Sequence, residues 1–272
     1  MPITRLQSQL LRLLANRRDS ESFVAGAVPI NRDGPRFSSD IDIFHDREER
    51  VAGSAEADAQ CLVAAGFTVE WLRRQPGIFT AMIRTDDDQT RLEWVADSDY
   101  RFFPAAPDHE FGYVLHIADL AVNKLMAAAG RREPRDIVDL LTIHESHLPA
   151  GAIAWAAVDI SPGFTPEGLL AEVRRNARHP AEEYAKLLSS EPIDPAVVMR
   201  KLAVALDEAQ AFVSSMPSDL AGVLFLKDGK PVQPLPTALD QYEIHRARRR
   251  GHWPTSSEIG HAMLERYQKD EP

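Results

Sequence analysis

Ser38-Ser39-Asp40-Ile41-Asp42-Ile43-Phe44 is the stretch around which this chain is organised. Side chains on a strand alternate between its faces, so Asp40 and Asp42 project together while Ile41 and Ile43 turn toward the core. Two carboxylates held side by side repel, and a divalent cation with hard oxygen ligands is the usual relief. An edge strand with a solvated acidic face carries the same alternation. Seven residues alone do not choose between the two.

Upstream, Ile3, Leu6, Leu10, Leu13 and Leu14 recur at helical spacing and predict an amphipathic helix over residues 3–18. Residues 23–28 read as a buried strand. The turn-rich loop 29–39, with Asn31, Asp33, Gly34 and Pro35, delivers the chain into the acidic strand. Downstream, residues 46–65 predict a helix with early carboxylates, closed by Gly66. Residues 67–73, 78–85 and 91–95 read as three strands, with turns at Gln75-Pro76-Gly77 and Asp86-Asp87-Asp88. The triple Asp is read as a solvated hairpin tip. Glu93 sits between Leu92 and Trp94, and so points to one face of the last strand.

Beyond Asp108 the pattern turns helical. Residues 118–129 are strong helix formers ending at Gly130, and a second helix over 133–144 carries Pro134 in its first turn. Helices continue through 150–215, broken at Pro162-Gly163, His179-Pro180 and Glu191-Pro192. Residues 222–232 predict a hairpin around Lys227-Asp228-Gly229-Lys230, and terminal helices are expected over 238–249 and 256–268. The fold class is therefore α+β: an N-terminal mixed or antiparallel sheet with flanking helices, then a mostly helical region. Two domains are expected, 1–105 and 106–272, the second completing a cleft with the first. The boundary falls near Phe102-Phe103-Pro104.

Composition excludes several classes. Of 272 residues, 44% are hydrophobic and 26% charged, ordinary for a globular protein. No apolar run reaches membrane-spanning length, and Arg5 and Arg12 interrupt any signal-peptide core, so a cytoplasmic protein is expected, with no membrane partner. The single Cys61 excludes an internal disulfide and a Cys-based zinc cluster, and reads as a small buried apolar residue. A net charge of -10 leaves nucleic-acid contact to local patches. Two are available: Arg246, Arg248, Arg249 and Arg250 with His245, His252 and Trp253, and Arg131, Arg132 and Arg135. Solvated helix ends balanced by acids look the same. His144 and His147 resemble metal ligands only superficially, because no third ligand joins them.

Chemistry is expected where Asp40, Asp42 and Glu93 can meet on one sheet face. Such a set binds Mg²⁺ together with substrate phosphates. Ala25-Gly26-Ala27 offers a small-residue turn that lets backbone approach a phosphate. Lys124 and Arg135 are cations that could face the same cleft and neutralise phosphate charge.

These residues stand in a recognisable order. Ala25-Gly26-Ala27, Ser39-Asp40-Ile41-Asp42-Ile43-Phe44, Arg91-Leu92-Glu93-Trp94, Ala118-Asp119-Leu120-Ala121-Val122-Asn123-Lys124-Leu125 and Arg131-Arg132-Glu133-Pro134-Arg135-Asp136-Ile137-Val138-Asp139-Leu140 follow one another. The set resembles the AbiEii/AbiGii-type nucleotidyltransferases of the DNA polymerase β-like superfamily, which include toxins of toxin-antitoxin and abortive-infection systems. The resemblance covers roughly residues 20–145. It implies a nucleotidyltransferase using an NTP and Mg²⁺ or Mn²⁺, with Asp40, Asp42 and Glu93 as metal ligands. It implies catalytic roles for these three, Lys124 and Asp139, and nucleotide contacts from Gly26, Ala27, Ser39, Lys124, Arg135 and Asp136. An RNA acceptor such as a tRNA end, and a cognate antitoxin, are also implied. The family usually has Gly-Gly or Gly-Ser where this chain has Gly26-Ala27, so one hydroxyl contact to phosphate is missing. Two alternatives remain: a nucleotide-binding or interaction module without catalysis, and transfer to a small molecule such as an aminoglycoside.

Overall fold

The computed structural model describes residues 3–32, 34–161 and 163–249. The helix expected at 256–268, and Arg250, His252 and Trp253 of one basic cluster, lie outside the described residues.

The chain opens with α1 (Arg5–Leu14), β1 (Ser22–Ala25), the single turn α2 (Ala27–Ile30), β2 (Asp40–His45) and α3 (Glu48–Ala64). Next come β3 (Thr68–Gln75), β4 (Ile78–Arg84) and β5 (Gln89–Ala96), then the short β6 (Tyr100–Arg101), β7 (Ala106–Asp108) and β8 (Gly112–Val114). The helices α4 (Ile117–Gly130), α5 (Pro134–Ser146), α6 (Ala150–Ile160), α7 (Pro166–Asn176), α8 (Ala181–Tyr184) and α9 (Pro195–Ser215) follow. The chain ends with β9 (Val223–Lys227), β10 (Lys230–Val232), β11 (Glu243–Arg246) and β12 (Arg248–Arg249).

Seven strands form one mixed sheet in the order β3-β4-β5-β2-β1-β8-β7. β2 is the middle strand, parallel to β5 and antiparallel to β1. The edge-strand reading of the acidic stretch is thereby overturned. Strand alternation splits the sheet between two cores. Ile41, Ile43 and Val24 pack with Leu6, Leu10, Val51 and Leu62 of α1 and α3, whereas Phe23 and Ala25 join the helical core of α4, α5, α6, α7 and α9. Ala25 is the register partner of Asp42, so the acidic face of β2 looks toward the helices. β7 and β8 extend this sheet past β1, so residues 106–114 belong to it.

Helix α3 ends as its glycine predicts. Phe67 N–H donates to Leu62 O and Gly66 N–H to Val63 O, both at 3.0 Å, with Gly66 at φ +91°. This is a Schellman arrangement, which needs the left-handed conformation that glycine adopts freely. The helix starts at Glu48, and Asp46 before it is bonded by the Arg101 guanidinium, 2.8 Å from Nη2 to Oδ2. Cys61 on α3 is half-buried rather than buried. The hairpin at 227–230 forms, Asp228 and Gly229 both having positive φ.

The helix expected over 238–249 is corrected to a 3₁₀ turn at Leu239–Gln241 followed by β11 and β12. The cause is β9, whose Val223, Leu224, Phe225 and Leu226 are all buried. A strand buried in this way needs backbone partners at both edges, and β10 and β11 supply them. Tertiary pairing overrides local propensity here. Among the described residues no helix is long and apolar enough to cross a membrane.

Candidate active site

The parallel pairing of β2 with β5 places Asp40 opposite Arg91 and Asp42 opposite Glu93. These four side chains form a two-by-two array on the sheet face that looks toward α4 and α5. Arg91 occupies the gap: its Nη2 bonds Asp40 Oδ2, and its Nε lies 3.1 Å from Glu93 Oε1. Ser38 Oγ donates to Asp40 O at 2.8 Å and reaches Asp40 Oδ1 at 3.3 Å. Arg135 Nη1 approaches Asp40 Oδ2 to 3.7 Å. Burial pushes the Asp40 carboxyl up, but its bond to Arg91 and the charges of Arg91 and Arg135 outweigh this and hold it below the usual range.

Asp42 is in the opposite condition. Burial, and after it the like charges of Asp40 and Glu93, push its carboxyl up to about 7. The turn after β1 presses against it. Gly26 sits at φ 67°, ψ -143°, and a Cβ built there would lie 1.8 Å from Asp42 Oδ2. Only glycine fits both that backbone and that contact.

The helical wall is a buried ion cluster. Asp139, fully buried, accepts Nε and Nη2 of Arg36 at 2.6 Å each and Nδ2 of Asn31 at 2.8 Å, with Lys124 Nζ at 3.0 Å. Asp136, equally buried, accepts Arg131 Nε at 2.6 Å and Nη2 at 3.0 Å, and Lys124 Nζ at 3.4 Å. Burial drives the Asp139 carboxyl upward, yet Lys124 and Arg36 hold it below its ordinary range. Lys124 is therefore gripped from behind by two carboxylates, and an ammonium has three donors.

Ala27, Arg36, Asp40, Asp42, Arg91, Glu93, Lys124, Arg131 and Arg135 line one small cleft of about 120 Å³. The cleft thus brings together Asp40, Asp42, Glu93, Lys124, Ala27 and Arg135 of the expected set. Asp136 and Asp139 stand behind its wall. Ser39 is exposed, its Oγ 3.4 Å from Arg135 Nη1. Three cleft cations, Arg36, Arg91 and Arg131, were not among the expected site residues, Arg131 having been read only as part of a basic patch. Arg91 and Glu93 are two apart on a strand, so alternation could have paired them. Arg131 lay inside a quoted motif, while Arg36, in an irregular loop, left no periodic signal. Arg132 turns away, donating to Arg178 O at 2.9 Å. His144 accepts the Ala150 N–H at 3.1 Å and so tethers the start of α6.

The donor set suits a hard divalent cation: three carboxylates, one of them crowded by two like charges. Among the described residues no group of three or more His, Cys, Asp or Glu side chains stands close enough together to hold a metal ion as it is.

Neither a protein-family model nor a curated protein matches the chain. Among solved structures, the nucleotidyltransferase toxin MenT4 of Mycobacterium tuberculosis H37Rv is similar at 18% identity and a TM-score of 0.49, over 79% of this chain and 83% of that one. A protein of H. pylori taken to be a nucleotidyltransferase is similar at 14% identity and a TM-score of 0.47, over 77% of this chain and 93% of that one.

Proposed function

We propose that this chain is a metal-dependent nucleotidyltransferase that moves a nucleoside monophosphate from an NTP to an acceptor hydroxyl. The observation that carries the reading is the meeting, in one cleft, of three sheet carboxylates with a lysine presented by two buried acids. Asp40, Asp42 and Glu93 would hold the divalent ion, which when bound neutralises phosphate charge and favours an ionised acceptor oxygen. Lys124 keeps one donor for the triphosphate, and Asp136 and Asp139 fix its direction. Arg131 and Arg135 at the rim add charge for the same anion. Gly26 and Ala27 bring backbone close to the phosphates beside Asp42.

In the transfer, the acceptor oxygen bonds to the α-phosphorus while the bond from that phosphorus to the β-bridging oxygen breaks, and pyrophosphate leaves. Glu93 takes the hydroxyl proton. An RNA end such as that of a tRNA suits the acceptor role, since Arg131 and Arg135 place positive charge at the mouth of an otherwise acidic protein. Toxin-like action in the cytoplasm, restrained by a cognate antitoxin, is part of the same proposal.

The test is incubation of the protein with each labelled NTP, Mg²⁺ and total RNA. Label should enter RNA, and Asp40→Ala and Asp42→Ala should abolish it. Unchanged labelling by those variants would sink the assignment.

A further inference from the structure

The middle of the acidic array holds a cation already, and it belongs to the chain. Arg91 is the register partner of Asp40 and lies two residues before Glu93; its guanidinium hydrogen-bonds Asp40 and forms an ion pair with Glu93, Nε to Oε1 at 3.1 Å. Its side chain is 39% exposed, whereas those of Asp40 and Glu93 are 10% and 22% exposed. All of them stand on the central strands β2 and β5, but the arginine side chain reaches further into the open cleft. A divalent ion shared by these acids would compete for the oxygens Arg91 now occupies.

We propose that Arg91 is a displaceable stand-in for the divalent cation, so that the ion enters readily only when a polyphosphate is present to receive the released guanidinium. This rests on the reading of Asp40, Asp42 and Glu93 as the ion-binding set. In the free protein the guanidinium offsets repulsion among the three acids. Once displaced, it remains on the same cleft wall as Arg131 and Arg135, facing the space the triphosphate would fill. The planar fork that pairs with carboxylates bonds phosphate oxygens equally well. Ion and nucleotide then tighten each other's binding, because each removes an obstacle to the other, and the coupling is reciprocal. In the free protein Arg91 acts through the acids, and in the nucleotide complex it touches the phosphates itself.

The test measures binding rather than turnover. Mn²⁺ affinity is read from the paramagnetic resonance of free Mn²⁺, for the full chain, with and without a non-hydrolysable NTP analogue, after subtracting the Mn²⁺ that the analogue holds in the absence of protein. Wild type should bind Mn²⁺ weakly alone and at least about tenfold more tightly with the analogue. Arg91→Gln should bind Mn²⁺ alone about tenfold or more tightly than wild type, because a positive charge within a few ångströms is gone, and should lose most of the coupling. Arg91→Lys keeps the charge and should stay within about threefold of wild type. If Arg91→Gln binds Mn²⁺ alone no better than wild type, while Asp42→Asn removes the binding, the stand-in role is refuted and the metal reading survives. If neither wild type nor Arg91→Gln binds Mn²⁺ with or without nucleotide, both fall. A thermal midpoint for each variant, and the folded Arg91→Lys protein, guard against a trivial loss of structure.

Discussion

Replacing Gly26 by alanine tests the geometry of the cleft at its tightest point. The residue sits at φ 67°, ψ -143°, a region that costs a residue with a Cβ on the order of 1–3 kcal/mol. The added methyl would start 1.8 Å from Asp42 Oδ2. Real Cβ contacts essentially never fall below 3.0 Å, so the carboxylate or the turn must retreat by about 1 Å. A shift of that size in a reacting group costs on the order of 10²-fold in rate. The strain should lower stability by about 2 kcal/mol, equivalent to a fall of roughly 4–8 °C in midpoint for a chain of this size. Thermal unfolding followed by circular dichroism reads the first effect, and single-turnover transfer to RNA with saturating Mg-NTP reads the second. If Gly26→Ala unfolds within 1 °C of wild type or transfers within about threefold of it, the close approach to Asp42 has no consequence and the account of this turn is wrong.

Ala27→Ser, in the same turn, adds the hydroxyl that the resembling family often carries. One extra hydrogen bond to phosphate should lower the NTP KM by about two- to tenfold with kcat little changed, read by steady-state kinetics. Asp139→Asn leaves the Arg36 and Lys124 charges buried with weakened compensation, and should cost about 3 kcal/mol in urea unfolding. Combined with Arg36→Met it should cost clearly less than the sum of the single changes, since both break one contact. His45, fully buried with Ser22 Oγ at 3.2 Å, has its imidazole pKa lowered to about 4, first by burial and then by Arg18 and Arg50. The unfolded chain binds that proton more readily, so stability present above pH 6.5 is lost as pH falls toward 4, by up to about 3 kcal/mol. Asp42 and Asp119 act in the opposite sense: burial raises them to about 7 and about 6, and their share falls as pH rises. His45→Gln should therefore leave a stability profile that declines from pH 4 to 7. A His45→Gln protein that keeps the acid-side loss of wild type would contradict the assignment.

Much of the sheet could be read before any coordinates. The alternation of Asp40, Ile41, Asp42 and Ile43 correctly gave one acidic and one apolar face, because burial on a strand has a period of two. The Gln75-Pro76-Gly77 and Asp86-Asp87-Asp88 turns correctly bounded the strands that became β3, β4 and β5. What spacing could not give was the neighbour of β2. Glu93 meets Asp42 only because β2 pairs in parallel with β5 across more than forty intervening residues, and no local pattern encodes that choice. Arg36 was hidden for a similar reason: it sits in an irregular loop and its partner is 103 residues away. The helix expected over 238–249 failed because β9 needed an edge partner, a demand written in Val223–Leu226 rather than in the segment itself.

The contact between Arg36 and Asp139 also sets an order of events in time. During synthesis the three sheet carboxylates leave the ribosome by residue 93, and their lysine counterpart only at residue 124. The pair of acids that aims the lysine, and anchors the loop before β2, comes last, at 136 and 139. N-terminal parts of a chain begin to fold first, but contacts across such long loops close late. A nascent chain thus carries its acidic strands well before it can orient Lys124, and any activity that depends on this cleft begins only after α5 has docked. Late closure of the cleft is thus a delay written into the chain's topology.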